Sequence, residues 1–304
     1  ALVCGFWTAP LFTCSVNFSC LLSMMIRILF LFWVGCCSVL KAQNGLPQNA
    51  GARGAAMGNA AVTFTDINSV FVNQAGLGYL ERAAVTVYGE RRFLVADGLN
   101  AFLLGAAYPH KSLGTFGLSV HYFGFDVYNE QKIGLAYGRK LFKRFSIGAQ
   151  FNYLATRIDQ YGVAHNVTFE VGILAKVTKQ FHLGAHVFSP VRLRLPNGDY
   201  IPSLFKIGAA YLPSKQLRLT AEMEKDLERP FNARFGVEYH PVEALYIRAG
   251  ASTDPLLLSF GLGLRLKGLR MDVSTSYHQN LGFTPGLSVT YVYGDAVITA
   301  PTGQ

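Results

Sequence analysis

Eight charged residues in the last third of the chain recur at strand-like spacing: Glu222 and Glu224, Arg234 and Glu238, Arg248, Arg265, and Arg270 and Asp272. Residues two apart share one face of a strand, and neighbouring antiparallel strands bring opposite signs side by side. Such a set either braces a wall through a ladder of ion pairs or forms a polar track for a solute. Bracing is the simpler reading, because charges facing the inside of a barrel are ordinary. Catalysis and metal binding have less to stand on. His182 and His186 fall on one face of one strand, but four residues of strand separate them by about 13 Å, too far to share a metal. Gly261-Leu262-Gly263 lies inside a strand pattern and lacks the strand–turn–helix setting of a dinucleotide loop. Asn166-Val167-Thr168 matches a glycosylation sequon but also sits in a strand pattern, and no Ser–His–acid set converges at one height. The expectation is a protein that is not an enzyme and uses no cofactor.

The elements that must position these side chains alternate with period two. From Phe145 to Thr156, Phe145, Ile147, Ala149, Phe151, Tyr153 and Ala155 share one face. Ser146, Gly148, Gln150, Asn152 and Thr156 share the other, with Leu154 the apolar exception. Leu258, Phe260, Leu262, Leu264 and Leu266 alternate in the same way with Ser259, Gly261, Gly263 and Arg265. Fourteen such segments of about ten residues follow Arg82, the length of a tilted strand crossing a bilayer. A soluble sandwich would alternate too, so the connections decide. Every second link is short and basic, as at His110-Lys111, Phe142-Lys143-Arg144, Lys179-Gln180 and Lys267-Gly268. The links between are mostly longer and more polar, such as Val191 to Ser203 and Ile158 to Ala164. Short turns on one side and longer loops on the other make the outer-membrane arrangement, and closure leaves no unpaired edge in lipid. The expected fold is all-β, a 14-stranded antiparallel transmembrane β-barrel over residues 81–294. It places both termini on the short-turn, periplasmic side of a Gram-negative outer membrane.

Composition agrees: 51% of the 304 residues are apolar and 15% are charged, against about a quarter charged in a soluble domain. The net charge of +9 is dispersed over turns and isolated strand positions, where a nucleic-acid surface needs a concentrated patch; no nucleic-acid partner is expected. The five cysteines, Cys4, Cys14, Cys20, Cys36 and Cys37, all precede residue 38. They fall in a leader. Met24-Met25-Ile26-Arg27, the uncharged apolar run Ile28 to Leu40 and Ala42 read as a signal peptide starting at Met24 or Met25, so residues 1–42 are expected to be removed. A membrane anchor and a lipoprotein site at Cys36 are the rivals, the latter weakened by Trp33.

One stretch does not alternate. In Thr65 to Leu80, Ile67, Val70 and Phe71 recur at i, i+3, i+4 behind the N-capping residue Asp66, and Asn73 to Gly76 closes the segment, predicting a short amphipathic helix. A second irregularity concerns glycine, which recurs on the inward face near mid-strand at Gly134, Gly148, Gly172, Gly184, Gly208, Gly236, Gly250 and Gly261. Glycine weakens a strand, so this recurrence points to close approach of other backbone or to strand bending. A packed plug and the curvature of a narrow barrel both account for it.

The lead-in GARGAAMGNAAVTFTDINSVFVNQAGLGYL, Gly51 to Leu80, resembles the N-terminal signature of FadL-like outer-membrane proteins, particularly the PorV/PorQ group. That signature runs from a small-residue segment through an acidic helix start and an Asn-Pro-Ala-Gly-Leu-like motif to the first strand. The motif here is Asn73-Gln74-Ala75-Gly76-Leu77, with Gln74 in the usual proline position, which removes a fixed kink. The resemblance implies that residues 43–80 form a plug inside the periplasmic end of the barrel, with Asp66 and Asn73 to Leu77 as its motif. It also implies that Ala55, Ala56, Gly58, Ala60 and Ala61 pass close to the glycine-lined wall.

Two roles follow from the resemblance. The PorV branch serves type IX secretion beside the translocon and exported proteins, and a PorV-like accessory of secretion or outer-membrane assembly is the leading expectation. The FadL branch carries fatty acids and other hydrophobic molecules laterally into the membrane, which makes a passive transporter the alternative. The partners implied are outer-membrane lipid, secretion-translocon or exported proteins, and a hydrophobic ligand. An apolar lumen pocket reaching the bilayer favours transport, and a filled lumen with an aromatic rim favours the accessory role. Residues 295–304 form a tail to which the sequence assigns no role.

Overall fold

The computed structural model describes residues 49–94, 99–160, 162–191, 201–226 and 230–294. The expected leader, the first residues of the plug segment (43–48), most of the Val191–Ser203 loop and the tail (295–304) lie outside the described residues.

Strands β1 (Ala84–Arg91), β2 (Asn100–His110), β3 (Gly114–Gly124), β4 (Tyr128–Phe142) and β5 (Phe145–Ile158) follow the lead-in. They continue as β6 (Gly162–Lys176), β7 (Phe181–Phe188), β8 (Leu204–Tyr211), β9 (Leu217–Asp226) and β10 (Phe231–Val242). The last four are β11 (Leu245–Thr253), β12 (Leu256–Leu266), β13 (Leu269–His278) and β14 (Gly282–Val292). Each pairs antiparallel with the next, and β14 closes on β1 from Ala84↔Val292 to Glu90↔Gly286. The 14-stranded barrel read from period-two alternation is the fold.

The same alternation sorts the two faces. Leu135 and Ile207 on the outside are 64% and 63% exposed, within a continuous apolar exterior. Only lipid can cover so large an apolar surface, so the wall is a transmembrane one. Tyr108, Phe142, Tyr211, Tyr239 and Tyr291 add aromatics near the short-turn end, where amphipathic rings suit a bilayer interface. The asymmetry of the connections is smaller than the sequence predicts. Links at the short-turn end run from two to five residues, and five of the seven at the other end are no longer than four. Strand pairing extends further than expected: β5 continues to Ile158 and β6 begins at Gly162, which absorbs most of the loop predicted over Ile158 to Ala164.

Inside the barrel the lead-in is helical, with different geometry from the single amphipathic helix expected. A six-residue α-helix, α1 (Gly51–Ala56), precedes two 3-10 helices, Ile67–Phe71 and Gln74–Tyr79. The cause is a pair of closely spaced caps. The Asp66 carboxylate accepts the Asn68 N–H at 3.2 Å, and the Asn73 side chain accepts the Ala75 N–H at 3.2 Å. Two starts seven residues apart leave each helix five or six residues, no more than two turns of 3-10 helix. Val70, Phe71 and Leu77 pack with Leu103 and Tyr88 of the wall into one apolar cluster.

Candidate functional site: the plugged lumen

The glycine face of the wall is where the plug lies against it. A Cβ at Gly148 would run into the Gln74–Ala75 peptide, and one at Gly250 into the Met57–Gly58 peptide. At Gly184 it would come within 2.7 Å of the Val62 carbonyl oxygen, and at Gly236 within 2.7 Å of that of Met57. Gly172 faces the Asn73 side chain, Gly208 faces Val62 and Gly261 faces Ala56. Gly134 is different: its space is taken by Gln150 and Ser119 of the wall. Seven of the eight glycines therefore make room for other chain, and curvature is not needed to explain them. Gly138, against Gln74 and Leu77, belongs to the same surface.

Charge fastens the first half of the plug. Arg53 of α1 donates Nη2 to Glu238 Oε1 (2.5 Å), Nε to Glu238 Oε2 (2.8 Å) and Nη1 to Asp66 Oδ2 (2.7 Å). Arg270 bridges Asp66 (3.1 Å) to Asp272 (2.9 Å), and Arg248 bridges Asp272 (2.8 Å) to Glu238 (2.6 Å). The path closes on itself, so three guanidiniums alternate with three carboxylates and the net charge is zero. Two members come from the plug and four from β10, β11 and β13. Each charge is desolvated, but each sits between two of opposite sign, the condition under which burial is tolerated. Burial alone would raise the Asp66 carboxyl; the flanking guanidiniums of Arg53 and Arg270 instead hold it down to about 2.

A second carboxylate binds plug backbone. Glu222 Oε2 accepts the N–H groups of Ala61 and Val62, both at 2.8 Å. Arg234 links Glu222 (3.4 Å) to Glu224 (2.5 Å), which Lys206 also reaches at 3.2 Å.

The second half of the plug meets a buried knot centred on Glu170 of β6. Its Oε1 accepts Lys132 Nζ (3.0 Å) and Asn152 Nδ2 (2.8 Å), and its Oε2 accepts Gln74 Nε2 (2.9 Å) and lies 3.1 Å from His186 Nε2. Asn73 donates to the Val62 carbonyl at 2.7 Å and to the Ile173 carbonyl at 3.2 Å. Ser146 donates to the Ala75 carbonyl at 2.6 Å. Gly76 packs on Ser69 and the Phe64 carbonyl, and Leu77 is fully buried.

The expected lumen charges thus fall into two networks, the closed ring and the Glu222–Arg234–Glu224 group, with one exception. Arg265 is in lumen-side register but exposed at the short-turn end, opposite Arg270, and makes no ion pair among the described residues. Sequence reasoning passed over Arg53, Lys132 and Glu170. Parity places Lys132 and Glu170 on the inward face; Arg53, in a segment without period, carries no such signal.

Toward the long-loop end one arc of the lumen is apolar, beside polar side chains such as Glu130 and Thr168. Leu154, Phe188 and Ile201 are buried together with Leu204 against them, and Lys132 Nζ lies 5.4 Å from the Phe188 ring centre. The wall changes at the same level. β6 pairs with β5 from Gly162 onward, but with β7 only from Glu170 onward. Among the described residues, its edge from Gly162 to Phe169 has no strand partner on the β7 side apart from the Ser189 N–H on the Phe169 carbonyl at 3.1 Å.

No family model and no curated protein matches the chain. Solved structures do. A Pseudomonas aeruginosa FadL homologue superposes with a TM-score of 0.63 at 15% identity, covering 83% of this chain and all of that one. The Pseudomonas putida toluene transporter TodX gives 0.64 at 12% identity, covering 81% and 99%. The monoaromatic hydrocarbon channel CymD gives 0.65 at 11% identity, covering 82% and 99%. The PorV/PorQ part of the resemblance has no counterpart among these three. At such identities the likeness is one of architecture: the chain has the 14-stranded barrel fold of FadL- and TodX-type structures.

Proposed function

We propose that the chain is a non-enzymatic outer-membrane barrel that passes small hydrophobic molecules from its long-loop end sideways into the bilayer, with both termini periplasmic. The observation that carries this reading is the coincidence, at one height, of the Leu154–Phe188–Ile201–Leu204 patch with the edge of β6 that has no strand partner on the β7 side among the described residues. The Glu170 knot forms the floor of that patch, and Gln74 of the plug is tied into it. A solute entering from the loops would meet apolar side chains, find the way down blocked, and leave through the side. Two of the similar structures, a toluene transporter and a monoaromatic hydrocarbon channel, agree with such a solute class.

The test is toluene entry into vesicles whose outer leaflet is lipopolysaccharide. The wild-type barrel is expected to speed entry several-fold over an unrelated closed barrel, and Leu154→Asn with Phe188→Asn is expected to abolish the gain. Equal rates for the wild type and the unrelated barrel would refute transport. A secretion accessory is the second reading, favoured by the filled lower lumen and the aromatic short-turn end. It requires stoichiometric protein partners, identified by mass spectrometry after purification from membranes in mild detergent.

A further inference from the structure

Nearly every charge that faces the lumen is neutralised within it. Arg53, Arg248 and Arg270 alternate with Asp66, Asp272 and Glu238; Lys132 sits on Glu170; Arg234 and Lys206 sit on Glu224. The mouth at the short-turn end breaks this pattern. Lys140 lies two residues before the end of β4, Lys176 ends β6, His182 stands opposite Lys176 on β7, and Arg218 lies on β9, all in lumen-side register. Among the described residues none of the four has a carboxylate within ion-pair range, and they lie near one another: Lys176 is flanked by Lys140 and Arg218, with Glu81 close enough to offset them only in part, and His182 by Lys176 and Arg218. Glu238, the cross-strand neighbour of Arg218, is occupied by Arg53 and Arg248. Arg218 instead donates to the Thr63 carbonyl at 2.8 Å and the Thr63 hydroxyl at 3.1 Å, and lies 5.5 Å from the Phe64 ring centre.

An aromatic ring lies among these cations. Tyr79, the last residue of the second 3-10 helix, has Lys176 Nζ 3.8 Å and Lys140 Nζ 5.5 Å from its ring centre. The ring offers two ammonium groups a weak common partner and holds them on one side of the mouth. Three polar atoms in this group are buried without a hydrogen-bond partner: Tyr79 Oη, Arg218 Nε and His182 Nδ1, the last on a residue only 7% exposed. Buried donors in a folded protein are nearly always satisfied, by protein or by water, and here they lie in an arc where cations outnumber the carboxylates near them.

We propose that this mouth is an oxyanion-binding site, in which Lys140, Lys176 and Arg218 hold a phosphate or carboxylate group presented from the short-turn side, with Tyr79 as its base. Charge-assisted hydrogen bonds to such a group are the strong ones. The bound group would complete the lattice in which the rest of the lumen is already balanced. This assignment is independent of whether the barrel carries hydrophobic molecules. The anion has two possible sources, a free ion or the headgroup of a membrane lipid.

The experiment is native mass spectrometry and equilibrium binding on the full chain in a zwitterionic detergent. The probes are inorganic phosphate, lysophosphatidic acid, and lysophosphatidylcholine as the zwitterionic control. Binding of phosphate identifies a free oxyanion as ligand; binding of lysophosphatidic acid alone identifies a headgroup. In either case K140Q/K176Q, which leaves the Arg218 bond to Thr63 intact, is expected to weaken binding at least tenfold, and R218Q by a similar factor. Lys267→Gln, in the turn between β12 and β13, is expected to leave it unchanged. Wild-type chain that binds neither anionic probe, or K140Q/K176Q that retains the folded gel mobility and full affinity, overturns the assignment.

Discussion

Both halves of the plug lie on the glycine face of the wall, but only the first is also held by charge. From Gly51 to Phe64 it projects charge into the wall: Arg53 and, just beyond, Asp66 are members of the ring completed by Glu238, Arg248, Asp272 and Arg270. From Asn73 to Leu80 it presents neutral atoms, the amides of Asn73 and Gln74 and bare backbone, to a wall that has already paired its own Glu170 with Lys132. A buried ion-pair ring adds little net stability over an apolar contact of the same volume, yet breaking it is expensive. It therefore fixes where the plug sits more than how tightly. Backbone laid on glycine has the opposite character: contact is dense and insensitive to salt or pH, and its strength rests on the absence of one methyl group.

The largest effect should come from opening the ring. Glu238→Gln leaves Arg53 and Arg248 facing an uncharged amide, and loss of one partner of a buried pair costs about 3–5 kcal/mol. Urea unfolding in detergent would measure it. A loss below about 1 kcal/mol would mean that the plug's first half is held by packing, as the second is, and would remove the contrast. A sharper comparison uses one methyl group at two glycines. Gly172→Ala pushes a Cβ into Asn73 and should cost about 1–3 kcal/mol. Gly89→Ala, on the lipid face of β1 with only Phe102 nearby at 3.4 Å, should be neutral or stabilise by up to about 1 kcal/mol, since glycine is a poor strand residue. Equal effects at the two sites would show that the glycine face does not serve the plug.

The same contrast explains what could be read from the sequence. The barrel was legible because period two is imposed on every strand by lipid on one side and a filled lumen on the other. Arg248, Glu238 and Asp272 were visible by parity alone, and the inward glycines by their recurrence, though parity could not say what pressed on them. Arg53 was not visible: it lies among small residues with no period, and its partner Glu238 is 185 positions away. Glu170 was in plain register, but Lys132 and His186 are 38 and 16 residues distant, and nothing local marks them as neighbours. Helix type failed for a different reason, the second cap at Asn73, which ends one turn by starting another.

Position 74 tests the neutral half at finer scale. Gln74→Pro restores the residue that the FadL-like signature carries there. Proline is well tolerated at the first position of a helix, and its stiffness contributes about 0.4–1 kcal/mol. The change also removes the side-chain bond to Glu170 at 2.9 Å, a loss of about 1.5–3 kcal/mol for a charged acceptor. The expected outcome is a net loss of about 1–2 kcal/mol in urea unfolding, smaller than at Glu238. A stabilised Gln74→Pro variant would show that the plug's second half needs shape alone and that the amide is incidental.

Acid should separate the halves with the smallest effect. The folded-state pKa of Asp66 is held at about 2, below the ordinary value of about 3.9 for a free Asp. A depressed carboxylate contributes stability that is complete above its unfolded-state value and is lost as the pH falls toward the folded one. Protection of the first half of the plug, followed by proteolysis or hydrogen exchange in micelles, should therefore be flat from pH 7 to about 4.5 and weaken only toward pH 2. Asp66→Asn should show the weakened state at neutral pH and reduce the acid dependence, leaving the part that comes from Glu238 and Asp272. The Asn73–Leu80 half is expected to follow Asp66 only if the plug moves as one body. Loss of protection confined to Gly51–Phe64 would mean that the two attachments can be released separately, the charged one first.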